Sequence, residues 1–192
     1  MMTHRYILAV GALILGALAA SPASSGVKGA LDRAIRLSVE VAAPVEEVWR
    51  AWTTDAGVRT FFAPGSHIEA RVDGAYDIYF FPENPPGQRG AEGMRVLIVD
   101  APRYLAFTWN APPSIPTVRG QRTMVTVYLQ PIGEERTRVH LRHMGWGVGD
   151  DWDQAYDYFT RAWGDVVLKR LVHSFEHGPV DWSSPPALGE TD

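Results

Sequence analysis

The sequence contains no cysteine. That absence excludes disulfides, thiol nucleophiles, zinc–thiolate centres and lipid attachment at a lipobox. A basic excess is missing too. The 18 Lys and Arg are outnumbered by 22 Asp and Glu, and no basic run stands out, which argues against nucleic acid or an anionic membrane surface as partner. There is no G-x-S-x-G elbow, hence no serine-hydrolase signature, and no internal repeat. One apolar run stands out, Tyr6 to Ala20. It follows His4 and Arg5 and precedes small residues and a proline between Ser21 and Gly26. This is the order of a secretory signal, with Ala17-Leu18-Ala19 and Ser21-Pro22-Ala23 as alternative cleavage sites. The run falls short of the roughly 20 residues a spanning helix needs, and an uncleaved N-terminal anchor is the alternative. Residues 1–25 are therefore read as a targeting segment, and the protein is expected to be periplasmic or secreted.

What is present is the composition of one globular domain: 46% hydrophobic and 21% charged residues exclude a disordered chain. A domain of roughly 150 to 170 residues buries about 70% of its unfolded surface, enough to stand without cross-links. The domain is expected over residues 31–179, followed by a loose tail over residues 180–192.

Alternation of Ile35, Leu37, Val39 and Val41 with Arg36, Ser38 and Glu40 predicts a half-buried strand. Pro44 then opens a helix whose first turn carries Glu46 and Glu47, with Val45, Val48, Trp49 and Trp52 as its apolar stripe. A second short helix is expected from Asp55 to Phe62. From His67 to Leu141 the pattern is strands parted by turns: Ile68–Val72 into Ala75–Phe81 at Asp73-Gly74, Glu92–Val99 into Tyr104–Trp109, and Arg122–Gln130 into Arg136–His143. Asp150 or Asp151 is the expected N-cap of a long helix with Trp152, Tyr156, Phe159, Trp163, Val167 and Leu171 on one face, ended by Gly178-Pro179. The class is α+β: an antiparallel sheet of about seven strands around a long C-terminal helix, with two short helices after the first strand. In such a meander alternate connections fall at one end. The Pro/Gly-rich loops Pro82–Gly90 and Asn110–Gly120 and the Gly145–Gly149 segment should therefore share an end and make a cavity mouth.

Five pieces carry a family resemblance: Pro44-Val45-Glu46-Glu47-Val48-Trp49, Arg71-Val72-Asp73-Gly74-Ala75-Tyr76, Leu105-Ala106-Phe107-Thr108-Trp109, Thr137-Arg138-Val139-His140-Leu141-Arg142-His143-Met144-Gly145, and the Trp-rich final helix. Their order resembles the START/Bet v 1-like (SRPBCC) superfamily and, within it, the activator-of-Hsp90-ATPase homologues, from about Ile35 to Gly178. Two departures stand out. Phe61-Phe62 replaces a tryptophan after the short helix, and Trp163-Gly164 reverses the usual Gly-Trp order. The resemblance implies a helix-grip fold around a pocket for an apolar molecule, and no single chemistry.

Alternation gives the inward faces. Tyr76, Ile78 and Phe80 share one, as do Leu105, Phe107 and Trp109, then Val125, Val127 and Leu129, then Val139, Leu141 and His143. For Glu92–Val99 both faces are apolar and neither is chosen. The expected ligand-lining set is Tyr76, Phe80, Phe107, Trp109, Val127 and Leu141, with His143 beside them. Tyr156, Phe159 and Trp163 face them from the helix. His143, with a tyrosine as its partner, is the candidate for acid–base work; its bland reading is a core histidine satisfied by a neighbouring carbonyl.

No metal or cofactor is expected. His140 and His143 point to opposite faces of a strand. His173-Ser174-Phe175-Glu176-His177 matches the H-x-x-E-H zinc string, but the helix stops one residue later. Asp150, Asp151, Asp153 and Asp157 suit a helix start, and Gly145-x-Gly147-x-Gly149 lacks the parallel strand a dinucleotide loop requires. Three uses of the cavity remain: a carrier or sensor for a small hydrophobic molecule, a cyclase- or hydrolase-like enzyme using His143, and a co-chaperone-like interaction module.

Overall fold

Residues 33–186 are described by a computed structural model; the targeting segment read over residues 1–25 lies outside them. Strand β1 (Ala34–Val41) leads into α1 (Val45–Thr53) and α2 (Asp55–Phe61). Strands β2 (Gly65–Ile68), β3 (Tyr76–Tyr79), β4 (Gly90–Ala91), β5 (Val96–Asp100) and β6 (Tyr104–Trp109) follow. After a four-residue helix α3 (Pro116–Arg119) come β7 (Thr123–Pro131) and β8 (Thr137–Met144). The C-terminal helix is α4 (Asp150–Arg161), a π-helical segment (Ala162–Val167) and α5 (Leu168–His177) in one continuous run.

The expected sheet of about seven strands is built as eight in two antiparallel sheets, ordered β1-β8-β7-β6-β5 and β2-β3-β4. Two sequence expectations are corrected by the seam between them. The Asp73-Gly74 turn does not close a tight hairpin, because pairing begins at Ile68 opposite Tyr76. The intervening loop bonds instead to β5, through the Asp73 amide on the Val96 carbonyl and the Val96 amide on the Gly74 carbonyl, each 2.9 Å. A Cβ at Gly74 would lie 2.2 Å from the Glu69 carbonyl, so only glycine permits this crossing. The single strand expected over Glu92–Val99 is likewise broken at Gly93, whose φ of 73° lies in the left-handed region. Burial settles its two apolar faces: Met94 and Val96 point inward, while Leu97 and Ile98 are exposed.

Elsewhere alternation is realised in burial. In β8, Thr137, Val139, Leu141 and His143 are buried, with Arg138, His140, Arg142 and Met144 less so. The register aligns one fully buried row across the five-stranded sheet: Ile35, His143, Val125, Phe107 and Val96. Against this face lies the helix, with Trp152, Phe159, Trp163, Val167 and Leu171 buried.

The helix start differs from expectation. The cap residue is Gly149, at φ 112°, with no side-chain cap, and the aspartates occupy the first turn, where the helix dipole favours them. Asp151 accepts the Thr117 hydroxyl at 2.7 Å, and Asp153 pairs with Arg33. Gly145 also has a positive φ, and a Cβ at Gly147 would strike the Trp152 indole at 2.1 Å. The three glycines thus fit a tight crossover under an aromatic ring.

The tail read as loose from residue 180 is docked as far as Trp182. The Val180 amide donates to the Thr60 carbonyl at 2.8 Å and Trp182 Nε1 to the Arg59 carbonyl at 2.7 Å. These carbonyls end α2, where the helix offers them no partner of its own. Val180 is buried in the bargain. No helix among the described residues is long and apolar enough to cross a membrane.

Candidate functional site

Of the three segments expected to share one end, the two long loops meet at a cavity, whereas Gly145–Gly149 contributes no lining residue and is tied to them only through the start of α4. Arg119, on α3 in the second long loop, donates to the Gly87 and Gly90 carbonyls of the first at 3.1 and 2.7 Å, and also to Ala111 within its own loop. Thr117, two residues earlier on the same short helix, holds the start of α4 by donating its hydroxyl to Asp151. These contacts frame a cavity of about 560 Å³ between the loops, the end of α2, the C-terminal helix and the docked tail. That volume lies within the range of small-molecule sites.

Its floor is an aromatic cluster. Phe62 stacks on Trp109 at 5.9 Å between centroids and meets Trp163 edge-on at 5.6 Å, while Trp109 and Trp163 are 5.3 Å apart. Phe80 and Phe159 flank the floor at 6.0 Å from Phe62 and 6.3 Å from Trp163. Offset and edge-on contacts of this kind hold rings in fixed places. Trp163 belongs to the π-helical segment, as do the lining residues Val166 and Val167. The wider turn coincides with the reversed Trp163-Gly164 pair; Gly164 faces the Leu37 side chain, 3.7 Å from where a Cβ would stand. π-segments inside helices recur at functional sites.

Of the ten residues expected to line a pocket, Phe80, Trp109, Phe159 and Trp163 do so. The other six do not. Tyr76, Phe107, Val127 and Leu141 lie behind the floor, each at most 1% exposed, with Tyr76 stacked on Phe107 at 4.0 Å. Tyr76 donates its hydroxyl to the Trp52 carbonyl at 2.9 Å, and burial raises its pKa. Tyr156 lies against the start of β1, its hydroxyl donating to the Ala34 carbonyl at 3.4 Å and its ring under the Arg33 guanidinium at 3.9 Å. The inner half of the grip is filled by its own side chains, because large rings point inward from both sheet and helix. Only the outer half stays open.

His143 is fully buried in the filled half. Its Nδ1 accepts the Trp163 Nε1–H at 3.0 Å, which puts the ring proton on Nε2, 2.7 Å from the Thr123 hydroxyl. Thr123 donates its own hydroxyl to the Trp109 carbonyl at 3.3 Å. Both ring nitrogens are spent, and burial lowers the histidine pKa to about 3. The partners are an indole and a hydroxyl, where a carbonyl was expected. The result is a neutral histidine that locks Trp163 and Trp109 into the floor. His140 lies on the other face, with Nε2 3.1 Å from Gln130. His173 and His177 stack at 4.7 Å, yet among the described residues no three His, Asp or Glu side chains converge as a metal site would require.

The lining also holds residues that sequence patterning missed: Phe62, Arg119, Arg170 and Trp182. Phe62 had a signal, as one of the two departures from the family pattern. The arginines had none, and Trp182 belonged to a tail assigned no packing. Two lining residues carry buried donors without a partner among the described residues, Trp109 Nε1 and Arg170 Nε.

Residues 42–176 match the sequence model of the family described as activator of Hsp90 ATPase homolog 1-like protein. No curated protein matches the sequence. Among solved structures, a Mesorhizobium loti protein is similar at TM-score 0.60 and 20% identity, covering 77% of this chain and 100% of its own. CalU16 from Micromonospora echinospora is similar at 0.56 and 22%, over 78% of this chain and 77% of its own. An Hsp90 activator from Plasmodium falciparum is similar at 0.56 and 15%, over 74% and 93%. These likenesses establish a common fold.

Proposed function

The chain belongs to the activator of Hsp90 ATPase homolog 1-like family, and from that premise we propose that it binds a small hydrophobic molecule in the cavity and releases it unchanged. The observation carrying this reading is the open cavity of about 560 Å³ over a floor of Phe62, Trp109 and Trp163. Burial of apolar ligand surface against these rings supplies the attraction, at about 25 cal/mol per Å² before entropic losses. No carboxylate or histidine lines the cavity, and His143 has no free nitrogen to offer. A carrier or sensor role therefore fits better than acid–base turnover. The targeting pattern of residues 1–25 further suggests that it acts outside the cytoplasm, which fractionation of the producing cell would test.

Titration with the neutral dye Nile red tests the binding reading. Saturable enhancement at one dye per chain is expected, with about tenfold or greater weakening in Trp109→Ala, as for a central aromatic anchor. Absence of saturable binding by a folded protein would overturn it. Native mass spectrometry of protein from its producing cells, followed by organic extraction, would identify the resident molecule.

A further inference from the structure

The cavity is apolar, yet its charged lining is of one sign. Arg119 and Arg170 line it and no acidic side chain does, in a chain of net charge −4. The two arginines are in different states. Arg119 spends its donors on the carbonyls of Ala111, Gly87 and Gly90, and so serves as a clamp between the mouth loops. The nearest acid to influence it, Glu92, is itself held by Arg89 at 2.7 Å. Arg170 makes neither a hydrogen bond nor an ion pair with any described residue, and its Nε is buried without a partner. Its guanidinium lies 5.3 Å from the centre of the Trp182 ring, which holds it at the cavity wall without using its N–H groups.

A half-buried guanidinium whose Nε is sealed from water with no partner among the described residues is costly to the free protein, and burial accordingly lowers its pKa. The counterpart that relieves this cost is an acceptor with negative charge, and a carboxylate matches the planar fork of arginine best. Resting on the cavity reading above, we propose that the ligand is an organic acid: an apolar body seated on Phe62, Trp109 and Trp163, with a carboxylate paired to Arg170. Arg119 adds positive potential at the same mouth. The ligand is thus drawn in by charge and held by its apolar body.

The test compares matched acids and alcohols, naphthylacetate with naphthylethanol and decanoate with decanol, by displacement of Nile red from the full chain. Each acid is expected to bind about tenfold tighter than its alcohol at neutral pH. Arg170→Met, which keeps the apolar stem, should bring the acid down to the alcohol's affinity and leave the alcohol within about twofold. Arg170→Lys, which keeps the charge and loses the fork, should retain only part of the acid's advantage and carries the test if the methionine variant unfolds. Equal binding of acid and alcohol, or equal weakening of both by the substitution, would overturn the anion inference and leave the cavity reading intact. Nile red bound with neither acid competing would also overturn it. Failure of Nile red to bind a folded chain would remove the cavity reading first.

Discussion

The inner and outer halves of the grip are built from the same residue types and end in opposite states. In the inner half, Tyr76 stacks on Phe107 and donates to the Trp52 carbonyl, and the chain Trp163, His143, Thr123, Trp109 carbonyl joins the buried polar side chains, with Trp52 Nε1 left as the exception. In the outer half, Phe62, Trp109 and Trp163 line an open volume, and Trp109 Nε1 and Arg170 Nε have no partner among the described residues. Saturated polar groups and filled space make a rigid wall; unsaturated ones beside open space make a receptor. Trp109 and Trp163 belong to both halves, so the histidine relay behind them fixes the surface a ligand meets.

Substitutions should separate the halves. Phe107→Ala empties the centre of the filled half and is expected to cost about 3–5 kcal/mol of stability, measured by urea unfolding. Affinity of the remaining folded protein for Nile red should change little; a large loss of affinity with small loss of stability would place Phe107 in the receptor after all. Next comes pH. Folding lowers the His143 pKa from 6.5 to about 3, so between these values the unfolded chain takes up a proton that the folded chain refuses. The histidine's contribution is complete above pH 6.5 and is lost as pH falls, by about 1.4 kcal/mol per pH unit. His143→Leu should lack this component and cost about 1–3 kcal/mol at neutral pH by stranding the Trp163 N–H. Parallel pH profiles for the two proteins would show that the histidine is not buried neutral.

In the open half the order reverses. Trp109→Ala should weaken Nile red binding by about tenfold or more; an unchanged affinity would remove Trp109 as an anchor. Trp182→Ala has the smallest expected effect. It removes the bond to the Arg59 carbonyl, worth about 0.5–1.5 kcal/mol of stability. It also frees the Arg170 guanidinium from its ring, so acid binding should weaken by a few-fold while alcohol binding holds. Equal loss for both would mean that Trp182 acts only as apolar wall.

Most of the secondary structure was legible, because alternation in β1, β6, β7 and β8 and the stripe from Trp152 to Leu171 are local consequences of burial on one face. The shared end of the long loops followed from strand parity alone. The Glu92–Val99 segment was illegible for a local reason, since apolar residues on both sides give no period. The candidate site was half legible. Phe80, Trp109, Phe159 and Trp163 were found by face, while Arg119 and Arg170 resemble any surface arginine until loops and tail close around them.

By itself the sequence determined which side chains turn inward, since direction is set by backbone periodicity residue by residue. Tertiary structure alone decided where the interior is full and where it is open, because volume is a sum over segments far apart in the chain. Phe62, Trp109, Trp163 and Trp182 lie on a short helix's end, a strand, a π-segment and a tail, and no local pattern encodes the space their rings leave between them.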